Sequence, residues 1–371
     1  MNSAPIPVAI LTGFLGAGKT TLLNFLLKDP VLSHAAVIIN EFGDVGIDHL
    51  LVERADENIV EMSSGCLCCT IRGDLIDTMH DLLERRDSGT IKAFDRIVIE
   101  TTGLADPAPV LHSVMSEPTL LTRCHLEGVI TVVDAVNGMA TLDAHAEAVK
   151  QVAVADRIVL AKVDLLSGRE GEDMLFAIIA RLRKLNSAAR LLTTHRNEAT
   201  AERLFTMGLF DPAKKTPDVR NWLATEAYET GEKRHRHHRH NGHDHRHNDI
   251  SRHDDHIRSF SFTEERPISA MGLELFLELL KSCHGANMLR MKAIVKLADD
   301  PARPMILHGV QHVFHPPVRL KGWPDGDERT RLVFIVKDIE KSMIEGLFRA
   351  FTDQIDGGAA AFTDKTLSLN R

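Results

Sequence analysis

The chain has 371 residues, of which 44% are hydrophobic, enough for more than one domain with a core of its own. Its formal net charge of −8 provides no global attraction to nucleic acid or to an anionic membrane, so we expect neither as a partner. No apolar run approaches the length of a membrane span, and the first residues lack the pattern of a signal peptide, which predicts a cytoplasmic location.

The first predicted element is a short apolar strand, Pro7 to Leu11, which is followed by the sequence GFLGAGKTT. This sequence fits the pattern G-x-x-x-x-G-K-[ST] of a phosphate-binding loop, and an amphipathic helix follows it as that motif requires. We predict that Lys19 reaches the β- and γ-phosphates of a nucleotide and that the Thr20 hydroxyl ligates Mg²⁺. The predicted nucleotide-binding residues of the loop are Gly13, Gly16, Ala17, Gly18, Lys19, Thr20 and Thr21.

Further apolar runs alternate with helix-length segments in the first half of the chain. They are Ala36 to Ile39, Arg96 to Glu100, Gly128 to Asp134 and Arg157 to Lys162. Runs that are apolar on both faces predict an α/β fold, with a mostly parallel sheet that carries helices on both faces. Polar residues cluster where these strands end, and ligands bind at that edge of such sheets.

Two of these strand ends carry residues suited to nucleotide chemistry. Glu100 is followed three residues later by Gly103. A carboxylate at this position can hold Mg²⁺ through water or orient the attacking water. The glycine amide can sense a γ-phosphate. Asp164 could accept both guanine N1–H and N2–H, with the stem of Lys162 over the ring. Plain polar strand ends are the alternative, and Ala161 stands where a guanine motif usually begins with Asn.

Candidate metal ligands concentrate between the second strand and the next predicted helix. The segment Asn40 to Asp48 contains three acidic residues, including Glu41, and glycines that are typical of a switch segment or of a solvated turn. The sequence GCLCC then places Cys66, Cys68 and Cys69 together. Three thiolates suit tetrahedral Zn²⁺ or Cu(I) and leave the shell open to a further ligand. The alternatives are cysteines that only pack, or a redox pair.

A histidine-rich segment separates two predicted domains. Nine of the twenty histidines lie between His235 and His256 with almost no apolar residue, so we predict a disordered linker over residues 233–256. Repeated imidazoles bind divalent metals with little geometric selection, and a merely solvating linker is the alternative. A nucleotide-binding domain is predicted over residues 1–232 and a smaller α+β domain over residues 257–371.

The smaller domain is predicted from strands of period two mixed with two amphipathic helices. The predicted strands are Ile257 to Phe262, Leu289 to Leu297, Ile306 to Phe314 and Arg331 to Val336, and the predicted helices are Ile268 to Leu280 and Ile339 to Phe351.

Taken in order, the phosphate-binding loop, NEFGDVGID, GCLCC, ETTGLADP and KxD resemble the CobW-type metal-handling P-loop GTPases, relatives of the urease and hydrogenase nickel-insertion GTPases. MLRMKAIVKL, GVQHVF, Trp323 and RLVFIV look like the CobW C-terminal domain. The resemblance implies GTP and Mg²⁺ as ligands, with Lys19, Glu100 and Gly103 in catalysis and Lys162 and Asp164 on guanine. It also implies that Cys66, Cys68 and Cys69, with Glu41 as an additional ligand, hold a metal.

This resemblance implies a GTPase with slow intrinsic turnover that acts as a metallochaperone. NEFGDVGIDHLL and SSGCLCCTIRGDL look closer to the zinc-homeostasis branch than to the branch that serves cobalamin synthesis. Zinc is therefore the expected metal, with Co²⁺ or another divalent ion as the alternative. The client metalloprotein is not specified, and a homodimer is compatible with the family. The rival hypotheses are a dedicated activator that inserts cobalt or iron into one enzyme or serves the cobalamin pathway, a P-loop kinase with structural cysteines, and a passive metal store built on the histidines.

Overall fold

The computed structural model describes residues 5–42, 59–64, 70–195, 198–205 and 256–352. Within these residues, seven strands form a parallel sheet in the order β3-β2-β4-β1-β5-β6-β7. The strands are β1 (Ile6–Gly13), β2 (Ala35–Phe42), β3 (Ile59–Ser64), β4 (Arg96–Glu100), β5 (Cys124–Asp134), β6 (Arg157–Ala161) and β7 (Arg190–Thr193). The predicted parallel sheet is confirmed.

Helices cover both faces of this sheet, as predicted. Alternate residues of β1 show the reason: Val8 and Ile10 pack in a cluster with side chains of α2 and α3, whereas Ala9 and Leu11 pack with α1 on the opposite face. All four residues are buried, so neither face of the central strand meets solvent. The helices are α1 (Lys19–Leu26), α2 (Thr70–Asp87), α3 (Ala108–Ser116), α4 (Pro118–Arg123), α5 (Gly138–Ala144), α6 (Ala146–Ala153), α7 (Gly168–Leu185) and α8 (Ala201–Phe205).

The second unit is a smaller antiparallel sheet with two helices, which confirms the predicted α+β class. The sheet order is β11-β10-β9-β13-β8, and β12 pairs with β10. Phe276 of α9 and Phe348 of α10 contact edge to face in the core that both helices form with the sheet. The elements are β8 (Ile257–Glu264), α9 (Ala270–His284), β9 (Met288–Val295), β10 (Met305–Val310), β11 (Val313–Phe314), β12 (Val318–Arg319), β13 (Thr330–Lys337) and α10 (Lys341–Thr352).

The alternation predicted for this sheet does not correspond to one buried and one exposed face. Every residue of β9 is buried, and so is every residue of β13 except its last. The physical reason is that the parallel-sheet unit covers the second face: Leu289 and Ile335 pack in one cluster with side chains of α6 and α7. The single strand predicted over Ile306 to Phe314 is two strands, β10 and β11, joined by a turn in which Gln311 has a φ of 51°.

A buried ionic group, which we call the Asp156 cluster, joins the two units. It consists of Asp156, between α6 and β6, with Arg290 and Lys292 of β9. Arg290 Nη2 donates to both carboxylate oxygens at 2.7 Å, Lys292 Nζ donates at 2.8 Å, and the main-chain N–H of Val129 donates at 3.0 Å. Burial would raise the pKa of Asp156, but the charges of Arg290 and Lys292 outweigh it and hold that pKa well below its usual range.

Two predictions about organisation stay predictions. The first is the division into segments 1–232, 233–256 and 257–371, whose limits fall on or beside residues 206–255, outside the described residues. The second is the disordered linker, because almost all of the histidine-rich segment also lies outside the described residues. None of the helices in the described part of the chain has the length and apolar character needed to cross a membrane.

Candidate functional site

The loop after β1 has the backbone shape that its glycines allow. Gly13, Gly16 and Gly18 all have positive φ, at 145°, 74° and 100°, in the region where side chains are unfavourable. A Cβ on Gly13 would lie 2.3 Å from the main-chain oxygen of Val132 in β5. Glycine at this position therefore permits close packing of the loop's first residue against the neighbouring strand.

Lys19 is the first residue of α1 and is 7% exposed. Its Nζ lies 3.5 Å from the main-chain oxygen of Phe14, which also accepts a hydrogen bond from the Ala17 N–H at 3.1 Å. The ammonium group is thus folded back over the loop. A phosphate held there would meet the Lys19 charge together with the N–H groups at the start of α1.

Thr20 and Glu100, distant in sequence, meet beside this loop. β4 pairs with β1 so that Glu100 lies opposite Leu11, and this register brings the carboxylate to the base of the loop. The Thr20 hydroxyl donates to Glu100 Oε1 at 2.9 Å, and the Glu100 residue is 4% exposed. Hydroxyl and carboxylate oxygens are ligands that Mg²⁺ accepts, the carboxylate often through water, so the residues present fit this ion.

Gly103 lies against the phosphate-binding loop. It is buried, and a Cβ built on it would fall 2.5 Å from both the main-chain N and the Cα of Leu15. Any larger residue would push the segment after β4 away from the loop. The structure therefore brings Gly103 against the loop that carries Lys19 and Thr20.

Helix α6 holds the same segment from the other side. Gln151, 1% exposed, donates from Nε2 to the main-chain oxygens of Gly103 at 3.3 Å and Ala105 at 3.0 Å. The preceding residue, Lys150, donates to Asp106 at 2.9 Å. Gln151 could not be predicted as a site residue from the sequence, because a single glutamine inside a helix belongs to no motif.

Lys162 connects the predicted base-binding loop to the phosphate-binding loop. It has a φ of 61°, and its Nζ donates to the main-chain oxygen of Gly16 at 2.7 Å and to Asp134 Oδ2 at 2.8 Å. Asp164 is exposed in the short 3₁₀ turn Val163–Leu165 that follows. Together they border a cleft of about 360 Å³, whose further lining includes Gly18, Thr21, Phe25, Ala161, Leu165 and Thr194.

Asp134 is a second site residue that the sequence analysis did not single out. Burial would raise its pKa, but hydrogen bonds from Lys162 and Asn137 outweigh that effect and hold the pKa below its usual value. The carboxylate therefore stays ionised and fixes the Lys162 ammonium group. Asp134 could have been predicted as a site residue, because it ends an apolar strand in the same manner as Glu100.

The predicted metal ligands are only partly visible. Glu41 lies in β2, where its backbone pairs with Ser63 of β3, but its side chain is not described. Cys66, Cys68 and Cys69 lie outside the described residues, between the end of β3 at Ser64 and the start of α2 at Thr70. Among the residues that are described, no group of three or more His, Cys, Asp or Glu side chains could hold a metal ion.

Comparison with known proteins identifies the family. The profile of the CobW/HypB/UreG nucleotide-binding domain matches residues 7–193, and that of the cobalamin synthesis protein cobW C-terminal domain matches residues 257–352. The chain is 31% identical to the zinc chaperone YjiA of Escherichia coli (strain K12), over 93% of this chain and 98% of that protein. This chain belongs to the CobW/HypB/UreG family. The resemblance inferred from its motifs is confirmed.

Two further comparisons extend this assignment. The chain is 34% identical to the zinc-regulated GTPase metalloprotein activator 1 of Schizosaccharomyces pombe, over 51% of this chain and 46% of that one. The crystal structure of Zn(II)-bound YjiA GTPase from E. coli superposes with a TM-score of 0.65 at 27% identity, over 94% of this chain and 99% of that one. Both relatives are named for zinc, in agreement with the zinc-homeostasis branch of the CobW family that the motifs indicate.

Proposed function

We propose that this chain is a GTP-hydrolysing metallochaperone that binds zinc through Cys66, Cys68 and Cys69 and delivers it to client metalloproteins. The observation that supports this most is the match to the zinc chaperone YjiA along nearly the whole of both chains, at 31% identity. The geometry around the phosphate-binding loop supports the hydrolytic part, because Thr20 and Glu100 meet there at 2.9 Å.

In the proposed reaction, each residue of the loop has a separate task. Lys19 neutralises charge that develops on the β- and γ-phosphates, and the Thr20 hydroxyl with Glu100 behind it holds Mg²⁺. Mg²⁺, which Thr20 and Glu100 would hold, would supply stabilisation of the negative charge that develops on the phosphates. The Gly103 amide donates to the γ-phosphate, and orienting the attacking water is the alternative task of Glu100.

Base recognition falls to the cleft beside Lys162. Asp164 accepts both guanine N1–H and N2–H, and the Lys162 stem covers one face of the ring. Adenine presents no such pair of donors, which favours GTP over ATP. Because Lys162 also binds Gly16 and Asp134, at 2.7 and 2.8 Å, the base-binding loop and the phosphate-binding loop are fixed to each other.

Zinc is the cargo of the proposed cycle. Thiolates bind Zn²⁺ tightly, and three of them leave a position for Glu41, for solvent or for a ligand of the client. The cysteines lie in sequence between Glu41 and Gly103, so nucleotide-dependent movement of those segments would change ligand geometry. The histidine-rich segment would raise the local concentration of metal. We further propose slow intrinsic turnover, in the cytoplasm, with release of zinc when a client docks.

The metal-binding part is tested by competition of the full chain with a chromogenic zinc chelator. Replacing Cys66, Cys68 and Cys69 by Ser should remove one tight zinc ion per chain and leave only weak histidine sites. The matched control is Cys283→Ser, since Cys283 is an exposed free cysteine outside the motif, and it should retain the tight ion. A tight ion that survives the triple replacement contradicts the proposal, and tighter competition by Co²⁺ than by Zn²⁺ favours the alternative of a cobalt-inserting activator.

A further inference from the structure

Gln151 of α6 is buried beside the phosphate-binding loop, yet it belongs to no motif of the sequence. Its Nε2 donates to the main-chain oxygens of Gly103 and Ala105, at 3.3 and 3.0 Å. Its own main-chain oxygen accepts from the Thr131 hydroxyl at 2.7 Å, which fixes this part of α6 to β5. Oε1 of Gln151 has no hydrogen-bond partner among the residues that the structure describes. The side chain therefore acts there as a donor to the segment that carries Gly103.

The same segment has contacts on its other sides. A Cβ on Gly103 would lie 2.5 Å from the backbone of Leu15, so the glycine is in direct contact with the phosphate-binding loop. Asp106 accepts from Lys150 at 2.9 Å and from the N–H of Ala108 at 3.0 Å, and the latter bond holds the start of α3. Gly103 is thus held at its Cα by the phosphate-binding loop and at its carbonyl oxygen by α6.

We propose that Gln151 is a positioning residue that holds the Gly103 amide in place for the γ-phosphate and thereby sets the preference of the site for GTP over GDP. This inference rests on the proposed GTPase function. A peptide group fixed before the ligand arrives loses less conformational freedom on binding, so fixing it increases affinity. GDP lacks the γ-phosphate, and its affinity should not depend on the position of Gly103.

The test compares wild type with Gln151→Met, which keeps the length of the side chain and removes the donor. Loss of two neutral hydrogen bonds should raise the Kd of a non-hydrolysable GTP analogue about tenfold. The Kd of GDP should change less than about twofold, because no contact of GDP is lost. The kcat for GTP should fall as well, since Gly103 would be misplaced in the transition state.

A matched control separates positioning from folding. Asn186 is also a buried amide, 1% exposed, and it donates to the main-chain oxygens of Val152, Ala153 and Ala155 at 2.9, 3.1 and 2.9 Å. These bonds hold the C-terminal end of α6, directly after Gln151, and none of them is made to the segment that carries Gly103. Asn186→Leu should lower the melting temperature and leave the ratio of the two Kd values unchanged.

The outcomes are distinct. If Gln151→Met leaves the ratio of the two Kd values unchanged, including by an equal loss of affinity for GDP and for the GTP analogue, the positioning role is overturned. If Gln151→Met does not fold, Gln151→Glu keeps the shape and places a carboxylate against the two carbonyl oxygens, which should lower the preference at least as much. If the wild-type chain binds neither nucleotide, the GTPase function is overturned together with this inference. If Gln151→Met and Gln151→Glu keep the wild-type preference for the GTP analogue over GDP, this inference alone is overturned.

Discussion

Replacing Asp156 by Asn should destabilise the whole protein. The carboxylate is 8% exposed and is the shared counterion of Arg290 and Lys292, whose side chains are 5% and 9% exposed. The amide would keep the shape of the carboxylate and leave two cations buried side by side. Removing one partner of a buried ion pair costs about 3–5 kcal/mol. A loss of that size should lower the melting temperature by roughly 5 °C.

The assay is thermal unfolding followed by circular dichroism, with Asp81→Asn as the control. Asp81 forms an exposed pair with Arg85 in α2, with side chains 61% and 42% exposed, and such pairs contribute less than about 1 kcal/mol. The Asp156→Asn variant should melt well below this control. Equal melting temperatures would show that the buried charges are stable without their counterion, contrary to this prediction.

The pH dependence follows from the direction of the pKa shift. The pKa of Asp156 is lower in the folded than in the unfolded protein, because Arg290 and Lys292 favour the charged carboxylate. The stability gained from this charge is therefore present above the unfolded pKa of about 4 and is lost as the pH falls further toward the folded value. The difference in melting temperature between wild type and Asp156→Asn should shrink as the pH falls below about 4.

Three predictions concern the nucleotide site. Gly103→Ala should leave the protein folded but lower GTP hydrolysis at least about tenfold, because its Cβ would lie 2.5 Å from the backbone of Leu15 and displace this segment. The rate of phosphate release measures the effect, and a wild-type rate would contradict it. Thr20→Ala should raise the Mg²⁺ concentration needed for half-maximal hydrolysis, and an unchanged Mg²⁺ titration counts against the assigned ligand. Asp164→Asn should exchange the preference for GTP for one for XTP, because xanthine carries a carbonyl oxygen where guanine carries its amino group; nucleotide competition that still favours GTP excludes this contact.

The nucleotide half of the site could be predicted well from local sequence. The pattern from Gly13 to Thr21 specifies its own backbone shape through glycines, and strand-end carboxylates such as Glu100 reach the loop because parallel strands end at one edge of the sheet. The contact between Thr20 and Glu100, 80 residues apart, follows from these two signals. Asp134 carries the same signal and could have been added on the same reasoning.

The contacts between the two units could not be predicted in this way. Arg290 and Lys292 alternate with apolar residues in β9, a pattern that ordinarily indicates an exposed face. Their burial depends on Asp156, more than 130 residues earlier, and on how the second sheet packs against α6 and α7. The hydrophobic pattern of a single sequence does not show which residues from distant parts of the chain form an ion pair. Gln151 was missed for a related reason, because its partners are main-chain oxygens that every residue has.

We propose that zinc binding at Cys66, Cys68 and Cys69 is coupled to the nucleotide. The most direct measurement is the zinc affinity of the full chain by chelator competition, with GDP and with a non-hydrolysable GTP analogue. We predict that the two affinities differ, that zinc shifts the ratio of nucleotide affinities by the same factor, and that both effects vanish when the three cysteines are replaced by Ser. Equal zinc affinities in the two nucleotide states, or a difference that persists without the cysteines, would contradict the account.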